Sequence, residues 1–491
     1  MRILLQILFL LFCIGCQKPV QNAEVIFTIN KDSIISTSYL GNGVQWDPYQ
    51  LDYGNGRVTI SESDWNKLYA RLDHMRPQFI RMMVYTTDYL KNGKLDEMYD
   101  FDQVSKILSY CQERGVTVMM GDWGGRMVNP LTNRIDTFML SNAARYADFL
   151  VNRKGYDCIK YYNMVNEPNG DWSSNQANYD LWARAIRYFD RRMHDYGLAD
   201  KVGLAGPDAA IWDESESWWV DSCATQFNGA IKLYDIHTYP PKSTVNSGEY
   251  SKIIRAYKER VPQGSQIIMG EIGLKFLKTD TLLEKENNER ISKVPHASRE
   301  DSQMFVYDHF YGIDMADALF QTMNEGFSGA LIWMLDDAMH SKTEEGPDKL
   351  KIWGFWNILG EEYFGGAKEE EVRPSYYAWS LLSKYIPKGS TVYAVETGED
   401  DKGVRAVVVE HKGRYTIGVV NVSGQKKTVS FRSNSMPVLE DIRQYNYIED
   451  EILKEGDCAQ LPNVTGMKLN LKRGFYLELP TDGLVVYTNM E

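Results

Sequence analysis

The sequence predicts an α/β chain, a (β/α)8 TIM barrel with a C-terminal β-sandwich domain. Three observations lead there. Eight short apolar runs alternate with amphipathic stretches between residues 43 and 386. Two of those runs end on a glutamate. Beyond Pro387-Lys388-Gly389-Ser390 the hydrophobic period falls to two.

Val25–Ile29 and Ser33–Thr37 read as strands, in a segment (25–42) that has no place in a ring and is free to join the sandwich. The barrel spans 43–386. Its first strand is Val44–Trp46, followed by a helix from Ser61 to His74 with Ser61 or Ser63 as N-cap. The second strand is Gln78–Val84, and its helix, Phe101–Arg114, is stopped by Gly115. Then come Val116–Trp123 with a helix near Phe138–Arg153, and Cys158–Glu167 with a helix over Asn178–Tyr196. Lys201–Pro207 precedes a helix around Trp218–Phe227, and Lys232–Tyr239 precedes Tyr250–Arg260. Gln266–Gly270 leads to a long helix over Asp301–Glu325. Gly329–Leu335 is the eighth strand, and Ser375–Tyr385 closes the ring. A doubly wound sheet would need a Gly-rich phosphate turn after its first strand, whereas Gly41-Asn42-Gly43 precedes one. Two long loops, Lys275–Glu300 and Asp336–Pro374, leave the face where the strands end and can wall a cleft. In 387–491 the alternating runs are Val404–Glu410, Tyr415–Val422, Lys427–Phe431, Met467–Lys472, Phe475–Leu479 and Leu484–Tyr487, a sandwich that either braces the barrel or itself binds carbohydrate.

At 491 residues, with 43% hydrophobic and 25% charged, the chain suits one large domain and one smaller. A net charge of −13 argues against nucleic acid or an anionic surface as partner. Residues 1–15 read as an export signal: Arg2, then an apolar run Ile3–Ile14 too short to span a bilayer comfortably. The run finishes Cys13-Ile14-Gly15-Cys16, which resembles the bacterial lipoprotein box. Cys16 would then be the lipidated residue, 16–24 a polar tether, and the protein exported and anchored to a membrane without crossing it. Cys111, Cys158, Cys223 and Cys458 match no zinc spacing and read as core thiols; whether any pair is open.

The fourth run closes as Asn163-Met164-Val165-Asn166-Glu167-Pro168, the seventh as Met269-Gly270-Glu271-Ile272-Gly273. A carboxylate at the C-terminal end of a buried parallel strand stands where such barrels keep their chemistry. Either glutamate alone is as readily a strand-end charge meeting solvent. Together, three steps apart round the ring, they predict a facing pair, which glycosidic bond cleavage by acid and nucleophile requires.

These residues resemble the clan A glycoside hydrolases, retaining (β/α)8 enzymes that include families 5, 30 and 39. The resemblance covers the barrel and reaches the trailing sandwich. The Gly43–Pro48 opening differs from that of family 5 cellulases, so it extends to the clan and not to one family. It implies that Glu167 is the acid/base and Glu271 the nucleophile of a hydrolase acting on β-linked oligo- or polysaccharide. Arg81 in Phe79-Ile80-Arg81 would hold the nucleophile ionised, Asn166 would donate to the sugar 2-hydroxyl, and Trp333 would floor the subsite beside the scissile bond. His237 and Tyr239 alternate along one strand and point the same way; Tyr239, or His237 in its stead, would orient the nucleophile. Each has a plainer reading: a rim ion pair for Arg81, a backbone cap for Asn166, packed rings for the aromatics.

Trp46, Trp123, Trp172, Trp353 and Trp356 stand at strand ends or in loops, where further sugar platforms would lie. Asp47, Asp122, Asp336 and Asp337 are near enough to the mouth to bind hydroxyls. The acid should have a raised pKa and the nucleophile an ordinary or low one; no metal or other cofactor is called for. A glycan-binding lipoprotein on a disabled barrel would be expected to lack one of the glutamates. A metal-dependent hydrolase would want clustered His and Asp, whereas the 7 histidines are scattered and only His237 is well placed.

Overall fold

Eight parallel strands close into a ring in chain order, as the alternation predicts. The computed structural model describes residues 23–49, 60–276, 279–340, 343, 345–346, 349–398 and 403–491. The signal, most of the tether and Cys16 lie outside them. Strand β1 (Val25–Ser36) precedes the ring. The ring itself is β2 (Gly43–Gln45), β3 (Phe79–Val84), β4 (Thr117–Asp122), β5 (Ile159–Asn163), β6 (Gly203–Ile211), β7 (Ile231–Thr238), β8 (Ile267–Ile272) and β9 (Ala330–Ile332). Pairing of β9 with β2 shuts it.

Inside the ring the N-terminal end is plugged. Phe79, Met119, Ala205, Leu233, Ile268 and Leu331 each come from a different strand and, with Leu40, form one buried cluster against which Tyr161 packs. Burial of each large apolar side chain stabilises by about 1.5–3 kcal/mol. Above this plug the inward positions turn polar, so the open end of the ring is where charge collects.

The helices begin and end where local chemistry dictates. Ser61 caps α1 (Glu62–Met75) in a reciprocal box with Asp64. Gly115, with φ of 68°, ends α2 (Phe101–Arg114). Asp136 caps α3 (Thr137–Asp148), which runs on as a π-turn to Arg153. Asn178 caps α4 (Tyr179–Asp195) by accepting from the Leu181 amide. Helices α5 (Ser217–Gln226) and α6 (Glu249–Lys258) follow β6 and β7.

Three expectations change. The fifth strand does not stop at Pro207 but continues to Ile211 through a cis Gly206–Pro207 bond. The charged stretch after β8 is not all loop, because Thr281–Lys293 forms α7 with only Ile291 buried. The long helix is preceded by a 3-10 turn (Met304–Tyr307), and α8 begins at His309 and ends at Asn324. Every residue of α8 from Tyr311 to Met323 is buried, because the ring lies on one side and the second domain on the other.

That second domain comprises β10 (Thr391–Thr397), β11 (Val404–His411), β12 (Arg414–Asn421), β13 (Lys427–Arg432), β14 (Leu439–Tyr447), β15 (Val464–Leu469), β16 (Phe475–Leu479) and β17 (Gly483–Thr488). Strand β1 joins it, as anticipated, but as one bulged strand and not two, antiparallel to β10 and parallel to β13. All nine form one continuous sheet that curls until its far strands face each other, with Phe475 meeting Tyr487 edge-on at 5.0 Å. A single apolar core fills the resulting sandwich. Strands β10 and β14 were not anticipated.

The sandwich braces the ring through α8 and α9 (Pro374–Lys384). Tyr447 Oη donates to His309 O at 2.9 Å, Arg405 pairs with Asp317 at 2.6 Å, and the Tyr385 and Tyr445 hydroxyls bond at 2.7 Å. The four cysteines among the described residues are unpaired, and Cys111, Cys158 and Cys223 are buried.

Candidate active site

Both glutamates stand at the polar end of the ring. Glu271 lies within β8, and Glu167 follows the end of β5 with φ of 45°. That left-handed backbone is rare for a residue with a Cβ and turns the chain sharply at the glutamate. Between the two carboxyls sits the His237 ring. Its Nδ1 is 3.2 Å from Glu167 Oε1 and 3.6 Å from Glu271 Oε1. The nearest acidic oxygens of Glu167 and Glu271 and a nitrogen of His237 all lie within 4.8 Å of one another.

Arg81, on β3, is buried and ties the site together. It bonds Glu271 Oε1 directly, reaches Asn166 Oδ1 at 2.7 Å and Asp208 Oδ2 at 3.1 Å, and donates to Gln45 Oε1 at 2.9 Å. Accepting from Arg81 fixes the Asn166 amide, leaving Nδ2 as its donor end. The Tyr239 hydroxyl donates to Glu271 Oε2 at 2.6 Å. So Arg81 and Tyr239 do meet Glu271 as the family pattern implies, while His237 bridges the pair.

Two acids escaped the sequence reading. Asp208 sits at a bulge in β6, between the registers of Pro207 and Ala209, with φ of 62°. The bulge re-aims its side chain inward, where Oδ1 lies 2.9 Å from His237 Nε2. Asp235, two residues before His237, points the same way, its Oδ2 3.9 Å from His237 Nε2. A Cβ on Gly270 would lie 2.1 Å from an Asp235 oxygen, so the residue before Glu271 has to be glycine for Asp235 to fit. An acidic residue inside the apolar run 203–211 was the available signal for Asp208. Pro207 reads as the end of the strand, which places Asp208 beyond it.

The charges sort themselves. Burial pushes Asp235 far up, and the Asp208 charge adds to it, so Asp235 keeps its proton. Asp208 is held well below the carboxylate range: burial opposes this, but His237 and Arg81 outweigh it. Burial would discharge His237, yet Asp208 and Glu271 raise it well above an ordinary imidazole. Burial also lifts Glu271, with the Glu167 charge in support and His237, Arg81 and the Tyr239 hydroxyl opposing. Glu167 moves the other way, because the hydrogen bond and charge of His237 and the Trp172 N–H overcome burial. The expected order, acid raised and nucleophile low, is therefore reversed in the free site.

Among the aromatic candidates, Trp333 and Trp123 meet edge-on at 6.1 Å, and His340 completes a trio at 5.1 and 5.7 Å from them. His340 Nε2 is 3.1 Å from Asp47 Oδ2, and Asp47 Oδ1 accepts from Gln45 at 2.6 Å, which links this trio to Arg81. Trp353 packs on Tyr239 at 5.4 Å. Trp46 and Trp356 are core residues, against Trp65 and Arg71. Trp172 is exposed, and its Nε1 donates to Glu167 Oε2 at 2.7 Å. Asp122, Asp336 and Asp337 are buried and occupied by backbone amides and side-chain donors.

Among the described residues two sets of side chains could hold a cation, Glu167 with His237 and Glu271, and Asp208 with Asp235 and His237. This clustering of Asp about His237 was not foreseen. In both sets the Arg81 guanidinium already supplies positive charge, to Glu271 and to Asp208.

Residues 38–304 match the model of a family described as Cellulase (glycosyl hydrolase family 5), a span that takes in both glutamates and the Gly43–Pro48 opening. No curated protein matches. Solved structures with a similar fold include a conserved exported protein from Bacteroides fragilis, at TM-score 0.64 and 11% identity, over 94% of this chain and 100% of that one. A family 30 subfamily 8 xylanase from Clostridium acetobutylicum aligns at TM-score 0.61 and 12% identity, over 94% and 98%. A family 39 β-xylosidase from Caulobacter crescentus aligns at TM-score 0.57 and 14% identity, over 94% and 99%. The alignments run through ring and sandwich alike.

Proposed function

Because the chain belongs to glycosyl hydrolase family 5, the cellulase family, we propose that it cleaves β-linked oligo- or polysaccharide by double displacement. Glu271 is the nucleophile and Glu167 the acid, then the base. One observation carries this reading: acidic oxygens of the two residues lie within 4.8 Å of each other. Carboxyls about 5–5.5 Å apart suit direct attack on the sugar, whereas inversion needs room for a water and about 6.5–9.5 Å.

Glu271, held by Arg81 and Tyr239, attacks the anomeric carbon as Glu167 protonates the departing oxygen. Arg81 favours the charged form that attack demands. Once the leaving sugar has gone, Glu167 takes a proton from water, which displaces Glu271 and releases product with retained configuration. His237 serves both steps by sharing one proton with Glu167. Nδ1 gives this proton to Glu167 before the first step and takes it back after the second, in which Glu167 has drawn a proton from the attacking water. Asn166 Nδ2 is the donor for the 2-hydroxyl, and Trp333 with Trp123 supplies the apolar wall of the sugar site.

The test is product release from β-1,4-xylan, cello-oligosaccharides and β-1,6-glucan by wild type, Glu167→Ala and Glu271→Ala. Each variant should lose about 1,000-fold or more. With azide and an activated aryl glycoside, Glu167→Ala should yield the azide of retained configuration, because azide opens the intermediate. Glu271→Ala should yield the inverted azide by one direct displacement. Binding without cleavage by wild type would favour a glycan-binding protein instead.

From Cys13-Ile14-Gly15-Cys16 we further propose an exported protein acylated at Cys16 and held at a bacterial membrane by that lipid. Labelled palmitate should appear in the wild-type chain and not in Cys16→Ser.

A further inference from the structure

Of the exposed large hydrophobic side chains, Trp172 has the most unusual setting. It is 59% exposed, yet its Nε1 donates to Glu167 Oε2 at 2.7 Å, beside a glutamate whose side chain is only 13% exposed. Folding gives no reason to leave so much apolar ring in water while fixing its polar edge.

The loop holds the ring rigidly. Gly170 leaves room for it, since a Cβ there would lie 2.3 Å from the indole. Asn169 clamps the loop to β6, donating to Ala210 O at 2.6 Å and accepting from its amide at 2.8 Å. Asn175 donates to Pro168 O at 3.0 Å and to Asn178 O at 2.7 Å, fastening the loop to the start of α4. Trp172 is therefore a preorganised surface, not a side chain in passing contact.

We propose that Trp172 is a specificity-determining residue of the acceptor side, stacking under the sugar that leaves and positioning the acid that protonates it. This rests on the assignment of Glu167 as the acid. An acid has to face the leaving oxygen, so an indole bonded to that acid stands beside the departing sugar. The N–H to Oε2 also favours the carboxylate that forms as the proton goes to that oxygen, so the bond strengthens as the glycosidic bond breaks. The ligand class is a β-linked oligosaccharide with at least one sugar beyond the scissile bond.

The experiment compares xylo-, cello- and gentio-oligosaccharides with the 2,4-dinitrophenyl β-glycosides of xylose and glucose, whose leaving group needs neither a proton nor a sugar site. In Trp172→Ala, kcat/KM on the oligosaccharide that wild type cleaves should fall about 30-fold further than on the aryl glycoside. Trp172→Phe should restore most of the KM while its pH–rate profile stays displaced, since the ring returns without the N–H. Trp218→Ala removes another exposed tryptophan, 44% exposed on a neighbouring helix, and should leave both rates unchanged. Equal losses on both substrates, or no loss in Trp172→Ala, would overturn the proposal. If instead Glu167→Ala cleaves oligosaccharide at the wild-type rate, the assignment of the acid has failed, and the role of Trp172 in positioning that acid falls with it.

Discussion

Asp208 Oδ1 lies 2.9 Å from His237 Nε2, and neither residue reaches solvent. Their partnership sets where the site keeps its proton. With Asp208→Asn the imidazole loses the charge that raises it. The alkaline limb of the pH–rate profile should then move to lower pH by about one unit. At pH 7, kcat should fall about tenfold or more. The profile separates this from simple damage, which would lower the rate at every pH alike.

Arg81 serves four acceptors, Glu271, Asn166, Asp208 and Gln45, from full burial. A lysine keeps the charge but cannot reach them all from one planar fork. Arg81→Lys should lower kcat about 100-fold with a smaller change in KM, and steady-state kinetics on any cleaved glycan would show it.

Gly270 and Asp235 compete for one space. Gly270→Ala should destabilise the protein by about 2 kcal/mol, since the new methyl overlaps a buried carboxyl. The double variant with Asp235→Ala should be more stable than the sum of the single losses allows, as denaturant midpoints would reveal.

His74 offers a pH test away from the cleft. Its Nε2 accepts from the Gln460 amide at 3.3 Å, a bond between α1 and the sandwich that needs a neutral ring. Burial, with Lys384 and Arg76 nearby, brings it down to about 4. The folded value lies below the unfolded one, so this contribution is complete above about 6.5 and is lost as pH falls through about 4. Thermal unfolding midpoints should therefore drop more steeply from pH 7 to 4 in wild type than in His74→Gln.

Much of the ring was legible because buried parallel strands are short apolar runs with amphipathic helices between them. Glu167 and Glu271 stood out because each closes such a run, and Arg81 and Tyr239 because they match the family resemblance. Asp208 did not, since a proline normally ends a central strand and this one carries on past it into a bulge. Helix α7 was misread because its single buried residue, Ile291, leaves no apolar stripe. Strand β14 hid behind its polar outward face, Glu440, Asp441, Arg443 and Gln444, which resembles a loop. The proton arrangement was out of reach altogether: it depends on His237 lying between two carboxyls that are a hundred residues apart in the chain.

Strand β1 is among the first segments to be made, yet its neighbours β10 and β13 are among the last. During synthesis it has to wait, unpaired, while the whole ring assembles. Only then can the sheet close over it, stacking Phe27 on Phe431 at 5.2 Å. Folding order is thus written into the topology: the barrel is an insertion between the first strand of a sheet and the other eight, which meet last, a slow long-range step. A chain released before that step would expose two bare strand edges, the form most prone to stick to its own copies.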